Sequence, residues 1–215
     1  MNRSKLFILI AAISFIISLA VILQLPAIVP VHWNASGEID GYGSKWTLLF
    51  LAAMPMIIYI GMGFTRKIDP KKAKIDKRPE VYEFFRVLTS SIFIVLNAVI
   101  LIGTCNQGID ISMIVPFIIG VMLIVMGNYM PRIPQNYFLG FRIPWALDNE
   151  KVWIRTQRMG GLAMVISGIV TMIAGFMRGN IAYIVMVGVT VGTILWATID
   201  SYIYFKRVTR KEDKK

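Results

Sequence analysis

Cysteine occurs once in this 215-residue chain, at Cys105, and histidine once, at His32. A lone cysteine excludes a disulfide within the chain and any multi-cysteine metal site. A lone histidine excludes the paired-histidine helix of zinc metalloproteases. No nucleophile–base pair stands out, so the sequence is not read as that of an enzyme and implies no cofactor. Acidic residues are few, 12 against 23 lysines and arginines, for a net charge of +11. Also missing is any polar stretch long enough to build a soluble domain.

What is plentiful is apolar sequence. Hydrophobic residues make up 56% of the chain and the mean hydropathy is +0.65, where soluble domains hold about 45–50%. The excess is gathered into blocks. A hydrocarbon core about 30 Å thick takes about 17–25 helical residues. Blocks of that size lie at Leu6–Leu25, Trp46–Phe64, Val87–Gly103, Ile111–Gly127, Gly160–Met177 and Ile181–Tyr204. Backbone polar groups in lipid must be bonded within the segment, which makes these blocks helices. The first exceeds the roughly 7–15 residues of a signal-peptide core and lacks a small-residue cleavage site, so a retained span is expected. The prediction is an all-α integral membrane protein with about six transmembrane helices.

Charge sets the orientation. With both termini inside, every lysine and arginine except Lys45 and Arg178 falls in a cytoplasmic segment, a strong positive-inside asymmetry. The basic residues flank apolar segments, where anionic headgroups attract them. The charge is therefore assigned to the lipid bilayer and not to direct nucleic-acid binding. A single membrane domain, 1–215, then divides into a first helix pair (1–64) with an outer loop (26–45), a basic inner loop (65–86), a second helix pair (87–127), an inner loop (128–158), a third helix pair (159–205) and a basic tail (206–215).

The outer loop is the main extracellular feature. Pro26 and Pro30 stop the helix, and Gly37, Gly41 and Gly43 permit tight turns. His32, Trp33, Asn34, Glu38, Asp40 and Tyr42 form a candidate recognition surface. The competing reading is a plain cap tied by hydrogen bonds, and the His32, Glu38, Asp40 spacing matches no established metal pattern. The inner loop is the richest stretch, with Pro131, Pro134 and Pro144 excluding a continuous helix. Asn128, Pro131, Asn136, Arg142, Pro144, Trp145, Asn149 and Trp153 are its candidate site residues. Trp145 and Trp153 are expected to anchor the loop at the interface, and Arg142 to reach a phosphate or a carboxylate. Asp148 is expected to cap a new helix on which Lys151, Arg155 and Arg158 share one face, either lying on anionic lipid or docking a cytoplasmic protein. Asp200, late in the sixth span, is expected to pair with a structural partner such as Arg142. Gly161, Gly168 and Gly175, with Gly188 and Gly192, are expected to serve close helix packing, within the chain or in a dimer.

Two stretches carry a family resemblance. Pro26 to Lys45, with His32-Trp33-Asn34 and Asp40-Gly41-Tyr42-Gly43-Ser44-Lys45, resembles the small membrane domain of unknown function that precedes many SdpI-like proteins. Gly140-x-Arg142-x-Pro144-Trp145-x-Leu147-x-Asn149, followed by Trp153 and Gly160-Gly161, resembles the SdpI signature, with Asn128, Pro131 and Asn136 fitting just upstream. Ala146, Asp148 and Gln157 depart from the Thr, Ser and His common there. The resemblance implies a multi-pass protein of the bacterial cytoplasmic membrane that confers immunity to a secreted, membrane-active toxic peptide. It also implies possible signalling, by holding a cytoplasmic repressor protein at the membrane. The alternative is a small transporter, against which the absence of internal repeats and the scarcity of polar residues within the spans both argue.

Overall fold

The structure, a computed structural model, describes residues 3–34, 36–106, 109–177 and 179–212. Arg178, and Lys214 and Lys215 of the basic tail, lie outside that set. Among the described residues, six helices are long and apolar enough to cross a bilayer. They are α1 (Arg3–Gln24), α2 (Thr47–Ile68), α4 (Pro79–Cys105), α5 (Ile111–Tyr129), α7 (Glu150–Ala174) and α8 (Asn180–Glu212). Between α1 and α2 lie strands β1 (Ile28–Trp33) and β2 (Ile39–Ser44), and two short helices, α3 (Lys72–Ile75) and α6 (Pro144–Asp148), sit in the inner connections.

Several helices outrun the bounds of their apolar blocks, α4 and α8 among them. The third span starts at Pro79, where proline occupies the first turn, rather than at Val87. A proline loses nothing there, because its missing N–H would have had no helical partner. The sixth continues through the basic tail to Glu212, giving 33 residues and a length of about 50 Å. That exceeds a hydrocarbon core about 30 Å thick, and near the helix's C-terminal end Val208 is buried in the apolar cluster formed with α3, α4, α6 and α7.

The helices form two groups, α1 with α2 and α4, and α5 with α7 and α8, joined along α4 and α5. The contact between α5 and α7 is set by glycine. A Cβ placed on Gly161 would lie 2.5 Å from the Gly127 carbonyl, one on Gly168 2.6 Å from the Gly120 carbonyl, and one on Gly175 3.1 Å from Pro116. Gly161 and Gly168, seven residues apart on α7, thus meet Gly127 and Gly120, seven apart on antiparallel α5, and the two backbones touch. Gly188 and Gly192 do not join this packing. Nothing among the described residues lies within 4 Å of a Cβ at either, so the expectation of intramolecular packing there is corrected. They sit on α8, which packs chiefly on α7 and leaves much of its surface to lipid.

Every inner connection converges on one apolar cluster. Ile75, Phe85, Met130, Ile133, Ala146, Val152 and Trp153 are its buried centre. Those residues come from α3, α4, the 3₁₀ turn Met130–Arg132 and Ile133 just after it, α6 and α7, which the alternating direction of the long helices brings to the same end.

Candidate functional site

At the outer end the loop is a β-hairpin, which the sequence reading did not anticipate. β1 and β2 pair antiparallel from Ile28 opposite Ser44 to Trp33 opposite Ile39, with the register interrupted around His32. A lone two-stranded hairpin is marginal in water, and this one is held by docking. Val29 is buried with Ile22, Leu48 and Leu101, and the Trp33 ring approaches Gly103 near the end of α4. Gly37, in the turn at φ +83°, lies against Ser112 and Asp110 at the start of α5. The Asn34 side chain organises the turn: its Oδ1 accepts from the Ser36 and Glu38 N–H groups at 2.9 and 3.0 Å, and its Nδ2 donates to Glu38 at 3.0 Å. His32 Nδ1 meets Asp40 Oδ1 at 2.5 Å on the exposed face, and Tyr42 is also exposed. The lysine at this end is accounted for by α1. Lys45 Nζ donates to the Leu23 and Leu25 carbonyls at 3.0 and 2.8 Å, satisfying carbonyls at the helix end that attracts cations.

At the inner end the 128–158 loop folds as a cap over the helix ends. Asn136 is fully buried and uses its whole amide on its own loop: Nδ2 donates to the Pro134 and Leu139 carbonyls, and Oδ1 accepts from the Phe138 and Leu139 N–H groups. Trp153 Nε1 donates to the Ile133 carbonyl at 2.9 Å. Trp153 is only 1% exposed, so it anchors the loop from inside the protein, not from the headgroup layer. Trp145, half-buried, donates to Ser201 at 2.9 Å and so pins α6 to α8. Pro144 opens α6. Asn128 donates back to the Ile124 carbonyl within α5, and Pro131 packs over Gly161.

Two expectations are corrected here, the cap of α7 and the partner of Asp200. The cap of α7 is Asn149, whose Oδ1 accepts from the Lys151 and Val152 N–H groups; Asp148 instead ends α6. Arg142 donates to the Tyr137 carbonyl at 3.0 Å and forms no ion pair among the described residues. The partner of Asp200 is Arg155, through two bonds of 2.9 and 2.7 Å. That fork fits a carboxylate edge-on and ties α7 to α8. It also withdraws Arg155 from the basic stripe, leaving Lys151 and Arg158 on the exposed side of α7.

The residues that join the two inner loops were not singled out from sequence. Asp69, 4% exposed, accepts from the Lys71 N–H at 2.7 Å and from the Tyr137 N–H at 2.9 Å. Gln135, also buried, donates to the Ala146 and Leu147 carbonyls and accepts from Lys74 at 2.8 Å. Lys74 also bonds Glu150 at 2.7 Å, and Lys71 donates to the Leu147 carbonyl. Burial, and then the neighbouring Lys74, pulls the Lys71 ammonium below the usual lysine range. Gln157 is fully buried and grips the Phe141 backbone, while the Phe141 ring lies where a Cβ on Gly160 would be. Among the described residues, no three His, Cys, Asp or Glu side chains come together as metal ligands.

The loop that forms this cap and the two helices it pins are the part of the chain matched by the model of the SdpI/YfhL protein family, residues 132–200. Residues 9–57, comprising most of α1, the hairpin and the first half of α2, match a domain of unknown function (DUF1648). The chain is also 24% identical over 212 residues to the immunity protein SdpI of Bacillus subtilis (strain 168), across 97% of this chain and 98% of that protein. Residues 132–200 are thus similar to the SdpI/YfhL protein family, and the whole chain to one of its immunity proteins. No solved structure matches the chain. In this chain, Gly140, Trp145, Asn149, Trp153 and Gly160 form an interlocked cap whose polar groups are largely spent on the protein itself.

Proposed function

We propose that the chain is a membrane immunity protein that protects the bacterium carrying it from a secreted, membrane-active toxic peptide. The observation that carries this reading is the end-to-end similarity to the immunity protein of Bacillus subtilis, hairpin and inner cap included. The protein would reside in the cytoplasmic membrane, with the hairpin outside, where a secreted peptide arrives. His32, Asp40, Glu38 and Tyr42 then offer it an exposed, mixed polar and aromatic face.

The fold supplies a route from that face to the cytoplasm. Trp33 and Gly37 touch the outer ends of α4 and α5, and the inner ends of the same helices enter the cap through Phe85 and Met130. Peptide binding that favours one arrangement of α4 and α5 would shift the cap by the same free energy. The cap would then hold a cytoplasmic repressor protein through Lys151 and Arg158, with Arg155 positioned beside them by Asp200.

Expression in a strain sensitive to the peptide tests immunity. Survival should rise with the wild-type chain and fall back when His32, Asp40 and Tyr42 are all replaced by alanine at equal membrane abundance. Unchanged killing by the peptide at good expression would reject the reading. Recruitment of the repressor to membranes should fall in the Lys151→Ala/Arg158→Ala variant, which leaves the Arg155–Asp200 bonds in place; equal recruitment would reject the docking face.

A further inference from the structure

Between α1 and the first half of α4 runs an open groove of about 800 Å³. Its charged lining lies at one end, where Arg66, Glu80 and Glu83 surround the mouth beside Ser4. Both walls then turn apolar in the same direction, through Phe7 and Ile10 on α1 and through Val87 and Leu88 on α4. From Glu80 to Ser91, the deepest polar residue of the lining, α4 rises about 16 Å. That is close to half of a hydrocarbon core about 30 Å thick. The groove thus has the depth and polarity of one leaflet.

The charges at the mouth are not equivalent. Glu83 is engaged by Arg86 at 3.1 Å and by the Tyr59 hydroxyl at 2.7 Å. Arg66 bonds Asp76 at 2.7 Å through one nitrogen, Nη2, which leaves most of a guanidinium's five donors for another acceptor. Glu80 is exposed and has no cation within ion-pair distance among the described residues. The mouth therefore pairs an uncompensated carboxylate with an arginine that can take an anion. The connection leading to it, rich in lysine, would by itself favour an anionic lipid.

We propose that this groove holds a phospholipid of the inner leaflet with a primary-amine headgroup, its ammonium at Glu80, its phosphate at Arg66 and an acyl chain along Val87 and Leu88. The amine selects this lipid over an anionic one because Glu80 repels a headgroup that carries negative charge alone. It selects it over a choline headgroup because a quaternary ammonium has no N–H to donate to the carboxylate.

The test is lipid retention by the full chain. The protein is reconstituted with equal parts phosphatidylethanolamine, phosphatidylcholine and phosphatidylglycerol, extracted gently, and its retained lipid identified by native mass spectrometry. One phosphatidylethanolamine per chain should be retained, in excess over each other lipid by about fivefold, the equivalent of about 1 kcal/mol for one charge at a membrane surface. Glu80→Gln should bring the preference to near parity, and Leu88→Trp, which fills the chain slot, should abolish retention. Lys72→Gln, on the same connection but outside the lining, should change nothing. Preference for phosphatidylglycerol, a preference that survives Glu80→Gln, an equal effect of Lys72→Gln, or a second copy of the chain cross-linked through Ile10→Cys would each overturn the assignment.

Discussion

Gln157 holds the Phe141 backbone from both sides: its Oε1 accepts the N–H at 3.0 Å, and its Nε2 donates to the carbonyl at 3.0 Å. The two bonds reproduce a strand-like pairing with a side chain, in a place where Gly140, at φ +96°, and Gly160 leave no room for anything larger. Gln157→Leu keeps the volume and removes both bonds. An unpaired buried backbone group costs about 1–3 kcal/mol. The variant should lose stability in that range, and amide exchange at Phe141 should accelerate while exchange in α5 stays slow. Unchanged exchange at Phe141 would mean that the grip is not what holds the loop.

The glycines of α7 and α8 should respond differently to the same substitution. Gly168→Val meets the α5 backbone and should cost about 1–3 kcal/mol or more, read as a lower thermal midpoint in detergent. Gly188→Val faces open space and should leave the midpoint of the monomer unchanged. A comparable loss at both positions would contradict the helix arrangement.

Arg155 and Asp200 should behave as a coupled pair. Each is partly exposed, so the coupling is screened and should lie near 1 kcal/mol. A double-mutant cycle with Arg155→Gln and Asp200→Asn measures it. Additive single losses would show that the bidentate contact is not formed in the membrane.

Lys45→Met should loosen the hairpin from α1 by removing the donor to the Leu23 and Leu25 carbonyls. Hydrogen bonds involving a charged group contribute about 1.5–3 kcal/mol, less at this partly exposed position. Proteolysis between Leu25 and Lys45, assayed from the outer side, should become faster. Unaltered cleavage would place the holding energy in Val29 and Trp33 instead.

Orientation can be checked directly. In a Cys105→Ser background, Tyr42→Cys should react with an impermeant thiol reagent added outside intact cells, and Arg158→Cys only after the membrane is opened. The reverse pattern would invert the whole map.

The spans were legible because a membrane helix announces itself locally, by about twenty apolar residues in a row. The expected sidedness rests on a similar local signal, since each lysine or arginine reports on its own segment, and the labelling experiment above is its test. The signature loop could be marked as the richest stretch from its prolines, tryptophans and asparagines. Its wiring could not. The Tyr137 N–H finds Asp69 across 68 residues, and Arg155 finds Asp200 across 45. No periodicity links such positions, and Arg142 was an equally good partner for Asp200 on charge alone.

The amino-acid order by itself determined that this chain is built for a bilayer and which six segments are long and apolar enough to cross it. Those properties follow from the cost of moving each segment between water and hydrocarbon, a sum over neighbouring residues. Tertiary structure alone decided that Gly161, Gly168 and Gly175 turn toward α5, that the outer loop pairs as a hairpin, and that Asp69 and Gln157 clamp the inner cap. These depend on which backbones approach closely enough to share hydrogen bonds or to exclude a methyl group. That is settled only when distant helices compete for the same few ångströms of space.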